Sequence, residues 1–336
     1  MSTMGTADLL SSGVLSRNLG RVNNDLLRVT DELTGGLKKD VVAAAGGDPA
    51  RIYLLERQLS LAETRKTSIE LAAGRSEVTQ RALSELQSSV ASLGAPLLSA
   101  TTQGDIRTAE REAAGARSAF DRAIASLNAR FGDRSLFSGA AVDGAATASA
   151  TSILADIQAS IAGETDVLAV IAAVDDYFND PTGFDMTGYA GSANDAPDVE
   201  LREGERLSFA VRADQAEIKD SLAALALTVI GNEGGWPGAN DTANLVIYDA
   251  AARRSIAAED GVIDLRSTLG TAEERIEEAS ISNRGESLFL SAALNNIVAR
   301  DPFEAATELT ALETQLQAIF SVTARLSSLS LTNFLR

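Results

Sequence analysis

Leu15, Leu19, Val22, Leu26, Val29 and Leu33 follow one another at alternating steps of four and three, and this spacing restricts the fold more than any other feature of the chain. It lines up a narrow apolar seam on one face of a helix, the a and d positions of a coiled coil, which only another helix buries well. A comparable stripe of Leu316, Ile319, Val322, Leu326 and Leu329 runs almost to the last residue, Arg336. Chain ends are usually polar and frayed unless something ties them down. Apolar helices at both ends therefore predict an antiparallel terminal coiled coil, and both seams are assigned to an assembly interface. Six apolar positions do not secure an isolated helix against the entropy of ordering it. The seams are expected to need partners on more than one side.

The N-terminal seam stops at Thr34-Gly35-Gly36, and a loop through "KKDVVAAAGG" leads to Asp48-Pro49. Asp followed by Pro reads as a helix N-cap with proline at the first helical position. Beyond it Ile52, Leu55, Leu59, Ala62, Ile69, Leu83, Leu86, Val90 and Leu93 mark a helix of roughly 45 residues, about 65 Å long at 1.5 Å per residue. After "TTQGD", a second helix carries Ile106, Ala109, Ala113, Ala116, Phe120, Ala123 and Leu127. Late in the chain Val262, Leu265, Leu269, Ala272, Ile276 and Ala279 repeat the spacing, which falters at Asn283 and Glu286 and resumes at Leu290. Asp301-Pro302 then caps the last helix. The fold class is mainly α: a long antiparallel helical bundle or coiled coil formed by the N- and C-terminal segments, with a small α+β insert. The expected divisions are a terminal coiled-coil assembly domain (1–40 and 300–336), a helical rod (41–136 and 251–299) and the insert (137–250).

Charge separates these parts. The chain carries 29 basic and 47 acidic residues, net −18, and residues 137–250 hold 19 acids against four bases, −15 of that total. An acidic protein does not select nucleic acid or an anionic membrane as its main partner. The nearly balanced ends associate with little charge penalty, while the middle faces solvent. Within the middle, "DVELREGERLSFAVRA" reads as a hairpin around Glu203-Gly204-Glu205, and "SILADIQASIAGETDVLAVIAAVDDYF" and "QAEIKDSLAALALTVI" read as helices. The last helix is too polar for a membrane span, and the first 30 residues lack the basic start and apolar block of a cleavable secretion signal.

Catalytic tools are scarce. The sequence has neither His nor Cys, which removes Ser/His and Cys/His nucleophile pairs and imidazole or thiolate metal sites. "DDYFNDPTGFD" offers Asp175, Asp176, Asn179, Asp180 and Asp185, but without the alternate ligands and closing Glu of a calcium loop. It is read as a helix end and turn. "GNEGGWPG" lacks the Lys-Ser/Thr of a phosphate loop, and Trp236 is read as a loop anchor. Glu273-Glu274 and Glu277-Glu278 flank Arg275 on a solvated helix face. No nucleophile, base and orienter come together, so no catalytic residue, cofactor or metal site is assigned. A carboxylate-based soluble enzyme is the remote alternative.

The ends also carry a resemblance. "ARDPFEAATELTALETQLQAIFSVTARLSSLSLTNFLR" resembles the C-terminal segment of the bacterial flagellin superfamily, and the Leu15 to Leu33 seam followed by "GDPARIYLLERQL" is similar to its N-terminal helix, loop and next helix. Gly47 stands where the family usually has Asp. "FGDRSLFSGAAVDG", Phe131 to Gly144, resembles the hairpin of the hook-filament junction branch, with Ser135 in place of the usual Tyr. "GERLSFAVRADQAEIKDSLAALAL" is similar to the same branch. The resemblance covers roughly 1–145 and 200–336. It implies a non-enzymatic, structural subunit of the flagellum, exported through the type III pathway without a cleaved signal to an extracellular position at the junction. Its implied partners are hook-associated protein 1, flagellin, further copies of itself in a ring and an export chaperone. A filament flagellin is the alternative within the superfamily.

Overall fold

The computed structural model describes the backbone of residues 4–202 and 204–334, and the side chains of residues 13–202 and 204–325. The described elements are α1 (Met4–Gly35), α2 (Val41–Ala44), α3 (Ala50–Thr102), α4 (Ile106–Ala113), α5 (Ala116–Leu127), β1 (Arg130–Phe131), β2 (Arg134–Ser135), α6 (Ala150–Ile161), α7 (Val167–Asn179), a short π-helix (Phe184–Gly188), β3 (Val199–Arg202), β4 (Glu205–Leu207), α8 (Ala216–Glu233), α9 (Asp241–Val298) and α10 (Pro302–Phe334). The fold is mainly α, as the periodicity predicts, and carries two small two-stranded sheets. It divides into two compact units, residues 1–63 with 285–336 and residues 64–284.

Helix starts follow the capping chemistry. Asp301 Oδ1 accepts from the Phe303 amide at 2.8 Å and the Glu304 amide at 3.3 Å, satisfying two donors that the first turn cannot pair internally. Asp48 Oδ1 accepts from the Ala50 amide, while Asp105, Ser149 and Asp166 cap α4, α6 and α7. Two expectations are refined. The loop after α1 contains the short helix α2, capped by Asp40. The helix predicted after "TTQGD" is broken into α4 and α5 at Ala114 and Gly115. Conversely α9 is continuous from Asp241 to Val298. Asn283 takes a buried position in its seam, between Ala279 and Leu290, so the polar interruption of the pattern is not a break in the backbone.

The unit of residues 64–284 holds the larger core. Leu83, Leu86, Val90 and Leu97 of α3 join Phe120 of α5, Ile153 of α6, Phe178 of α7, Leu222 of α8 and Tyr248 of α9 in one cluster. From Ile218 to Gly231, α8 is buried almost all round, so its unbroken apolar run marks a central helix rather than an amphipathic one. α3 and α9 pack on each other; the Gln80 side chain donates to the Arg266 carbonyl at 2.8 Å and Ser76 Oγ donates to Glu273 at 3.0 Å. A second cluster joins Ile69 and Ala72 to Leu201, Leu207, Ala272, Ile276 and Ala279.

The hairpin β3–β4 sets Val199 opposite Leu207 and Arg202 opposite Glu205. Glu205, read from sequence as part of the loop, is thus paired; Glu203 lies outside the described residues. The strand β4 ends at Leu207, and the alternation through Phe209 and Val211 continues without ladder pairing. Among the described residues no helix is long and apolar enough to cross a membrane.

Candidate assembly interface

In the unit of residues 1–63 and 285–336, α1 packs against α10. The N-terminal seam supplies the contact: Val22 and Val29 are buried and Leu15, Leu19, Leu26 and Leu33 are half-buried. On α10 the covered positions are Ala305, Leu309, Leu312, Leu316 and Ile319, again at steps of four and three. The sequence reading began this stripe at Leu316 and missed its first three members, although extending the same spacing backwards finds them. Val322 stays 47% exposed, and its neighbours from Ser321 to Arg325 are exposed as well, so the described cover of α10 ends at Ile319. The side chains of Leu326 and Leu329, the last two residues assigned to the interface, lie outside the described residues.

The end of α1 and the start of α10 are tied by backbone and charge together. Lys38 N donates to the Val298 carbonyl at 2.8 Å and Arg300 N to the Gly36 carbonyl at 2.9 Å, with Leu37 and Ala299 forming an antiparallel bridge. Beside this bridge, Glu32 is 4% exposed and Arg300 10% exposed. Arg300 faces Glu32, Glu304 and Glu308, and Arg28 reaches Glu32 at 3.2 Å and Glu308 at 3.1 Å. The Lys39 amide adds a hydrogen bond to Glu32 Oε1. Burial pushes the Glu32 carboxyl up, but the Lys39 amide and the Arg28 and Arg300 guanidiniums outweigh it and hold it below the ordinary glutamate range. Burial likewise opposes the charge on Arg28, and its bonds to Glu308 and Glu32 more than compensate. Buried ion pairs add little net stability but fix register, since any slip strands a charge in a dry place. The composition hid this cluster, because the i, i+4 pairs Arg28–Glu32 and Arg300–Glu304 look like ordinary solvated helix pairs.

Other apolar side chains of the same unit find no cover. Phe303 is 85% exposed, and Leu27, Tyr53, Leu54, Leu288, Phe289 and Phe320 are each more than half exposed. Scattered exposed leucines need no explanation, but exposed aromatic rings concentrated in one unit mark surfaces that bind.

The alternative sites read from sequence are spent on structure. Asp175 pairs with Arg254 and Asp185 with Lys219, while Asp180 bonds the Thr182 amide and hydroxyl within one turn. Among the described residues no group of three or more His, Cys, Asp or Glu could hold a metal ion. Glu273 accepts from Ser76, and Trp236 is buried against Gly238, a Cβ on which would meet Trp236 Cζ3 at 2.3 Å.

Comparison with known proteins bears on the same helices. Residues 257–335 match the family model of the bacterial flagellin C-terminal helical region, which meets the superfamily resemblance read from the last segment. A solved structure assigned as a flagellar hook-associated protein from Vibrio parahaemolyticus is similar in fold. Its TM-score is 0.50 at 14% identity, over 75% of this chain and 99% of that one. Among curated proteins, no sequence relative matches the chain.

Proposed function

Because residues 257–335 match the flagellin C-terminal helical region, we propose that this chain is a structural subunit of the bacterial flagellum and acts at the junction between hook and filament. In this reading it is a junction subunit of the hook-associated protein 3 type. It self-associates in a ring, contacts hook-associated protein 1 on one side and the first flagellin subunits on the other, and catalyses no reaction. The observation that carries the reading is the α1 and α10 pair: its register is locked by the buried Glu32 and Arg300 cluster, yet its unit leaves Phe303, Phe320 and Phe289 in water. A pair fixed internally but apolar externally is a component waiting for neighbours. The terminal segments (1–40 and 300–336) form the assembly domain, residues 41–136 and 251–299 the rod, and the acidic 137–250 segment the solvent side. Export through the type III pathway with a dedicated chaperone and an extracellular location at the junction complete the proposal.

The second reading is a filament subunit, favoured by the match itself being to flagellin. Deleting the gene separates the two. Flagellin shed unattached into the medium supports the junction role; loss of flagellin itself supports the filament role; normal filaments overturn both.

A further inference from the structure

The unit of residues 64–284 contains a half-buried cation that no carboxylate among the described residues neutralises. Arg75, on α3, has its Nε buried with no hydrogen-bond partner, and its Cζ lies 5.3 Å from the centroid of the Phe209 ring. Among the described residues no carboxylate pairs with it. Its charged neighbour is another arginine, Arg134 of β2: burial first, and then the Arg134 charge, lower the Arg75 pKa from its usual value. Their proximity is built into the fold. A Cβ on Gly74 would meet Phe131 Cζ at 2.7 Å, so the Phe131 ring lies directly on α3 and seats the β1–β2 hairpin beside Arg75.

Scarcity of acids does not explain this arrangement, since the chain has 47 acidic residues against 29 basic ones. Arg212, Arg254 and Arg300 each face carboxylates, and Arg266 has the amide oxygens of Gln80 and Gln87. An unpaired guanidinium withdrawn from water, next to a like charge, costs free energy that an oxyanion would offset. The planar fork of Arg matches a carboxylate in particular.

We propose that Arg75 and Arg134, with Phe209 beneath Arg75, form a socket for a carboxylate side chain presented by a second copy of this chain. The occupant follows from charge complementarity: with 47 acidic residues against 29 basic ones, a second copy of this chain has more carboxylates than cations to offer. The socket rests on the assembly role proposed above and adds a specific polar contact to its apolar ones.

Sedimentation of the full-length chain, wild type against the double variant Arg75→Gln/Arg134→Gln, tests it. Wild-type self-association is expected to weaken as salt rises, and the double variant to associate at least about tenfold more weakly. Its melting temperature should be unchanged or higher, since the substitutions remove an unpaired charge; a purely structural role for the arginines would lower it. Equal association of the two proteins, or no association of the wild type at any concentration, overturns the socket. A saturable rise in melting temperature with inorganic phosphate, lost in the variant while association is unaltered, also overturns it and assigns the arginines to a free anion. Shedding of flagellin by the deletion strain is scored separately, so the junction reading survives failure of the socket.

Discussion

Glu32 and Arg300 meet beside the Leu37 and Ala299 bridge with Nε 3.5 Å from Oε2. One residue closes α1 and the other precedes α10. Their burial makes each dependent on the other, and through them the two ends of the chain share one register.

Glu32→Gln should therefore loosen the helix pair specifically. Breaking a buried ion pair by removing one partner costs about 3 kcal/mol, and the loss should appear as faster amide hydrogen exchange in α1 and α10, with the 64–284 unit unaffected. Replacing both residues, Glu32→Leu with Arg300→Met, should recover much of it, because no charge is then stranded.

The same cluster predicts acid sensitivity. The Glu32 carboxyl lies below its ordinary value of 4.5 in the folded chain, so its contribution is fully present above about pH 4.5 and is lost as pH falls through the folded value. The Arg28 and Arg300 guanidiniums and the Lys39 amide face it, with Asp25, Glu304 and Glu308 competing for the two guanidiniums and Asp31 holding the Lys39 ammonium. Far-ultraviolet circular dichroism against pH should show an acid transition in the wild type that Glu32→Gln flattens.

The exposed rings should matter only in assembly. Phe303→Ser and Phe320→Ser remove side chains 85% and 56% exposed, so monomer stability should change by less than about 0.5 kcal/mol. Filament attachment in a complemented deletion strain, read as flagellin lost to the medium, should fall severalfold. Equal losses in melting temperature and attachment would instead make these rings part of the monomer's own packing.

Tyr248 offers a contrasting case in the large core. It is fully buried, its hydroxyl has no partner among the described residues, and burial followed by the Glu110 charge pushes its pKa up to about 12. Tyr248→Phe removes an unsatisfied polar atom and keeps the ring, so thermal unfolding should show stability unchanged or raised by up to about 1 kcal/mol.

Periodicity determined the long helices and the inward side of Val22 and Val29, the Asp-Pro pairs determined the caps at Asp48 and Asp301, and the residues of the last segment themselves carried the likeness to flagellin. These properties are local: a spacing of three and four fixes a helix face, and an aspartate before a proline fixes where that helix starts. Which charges meet was decided by tertiary structure. The sequence shows Glu32, Arg75 and Arg300 as ordinary members of a charged composition and Asp175 as part of an acidic cluster, and only the packing of distant segments buries Glu32 on Arg300, pairs Asp175 with Arg254 and leaves Arg75 beside Arg134 without an acid among the described residues. The inward face of α10 was legible but incompletely read, since Ala305 looks like a small surface residue until α1 covers it. Burial and charge pairing depend on what the rest of the chain brings alongside, and a one-dimensional pattern carries no record of that.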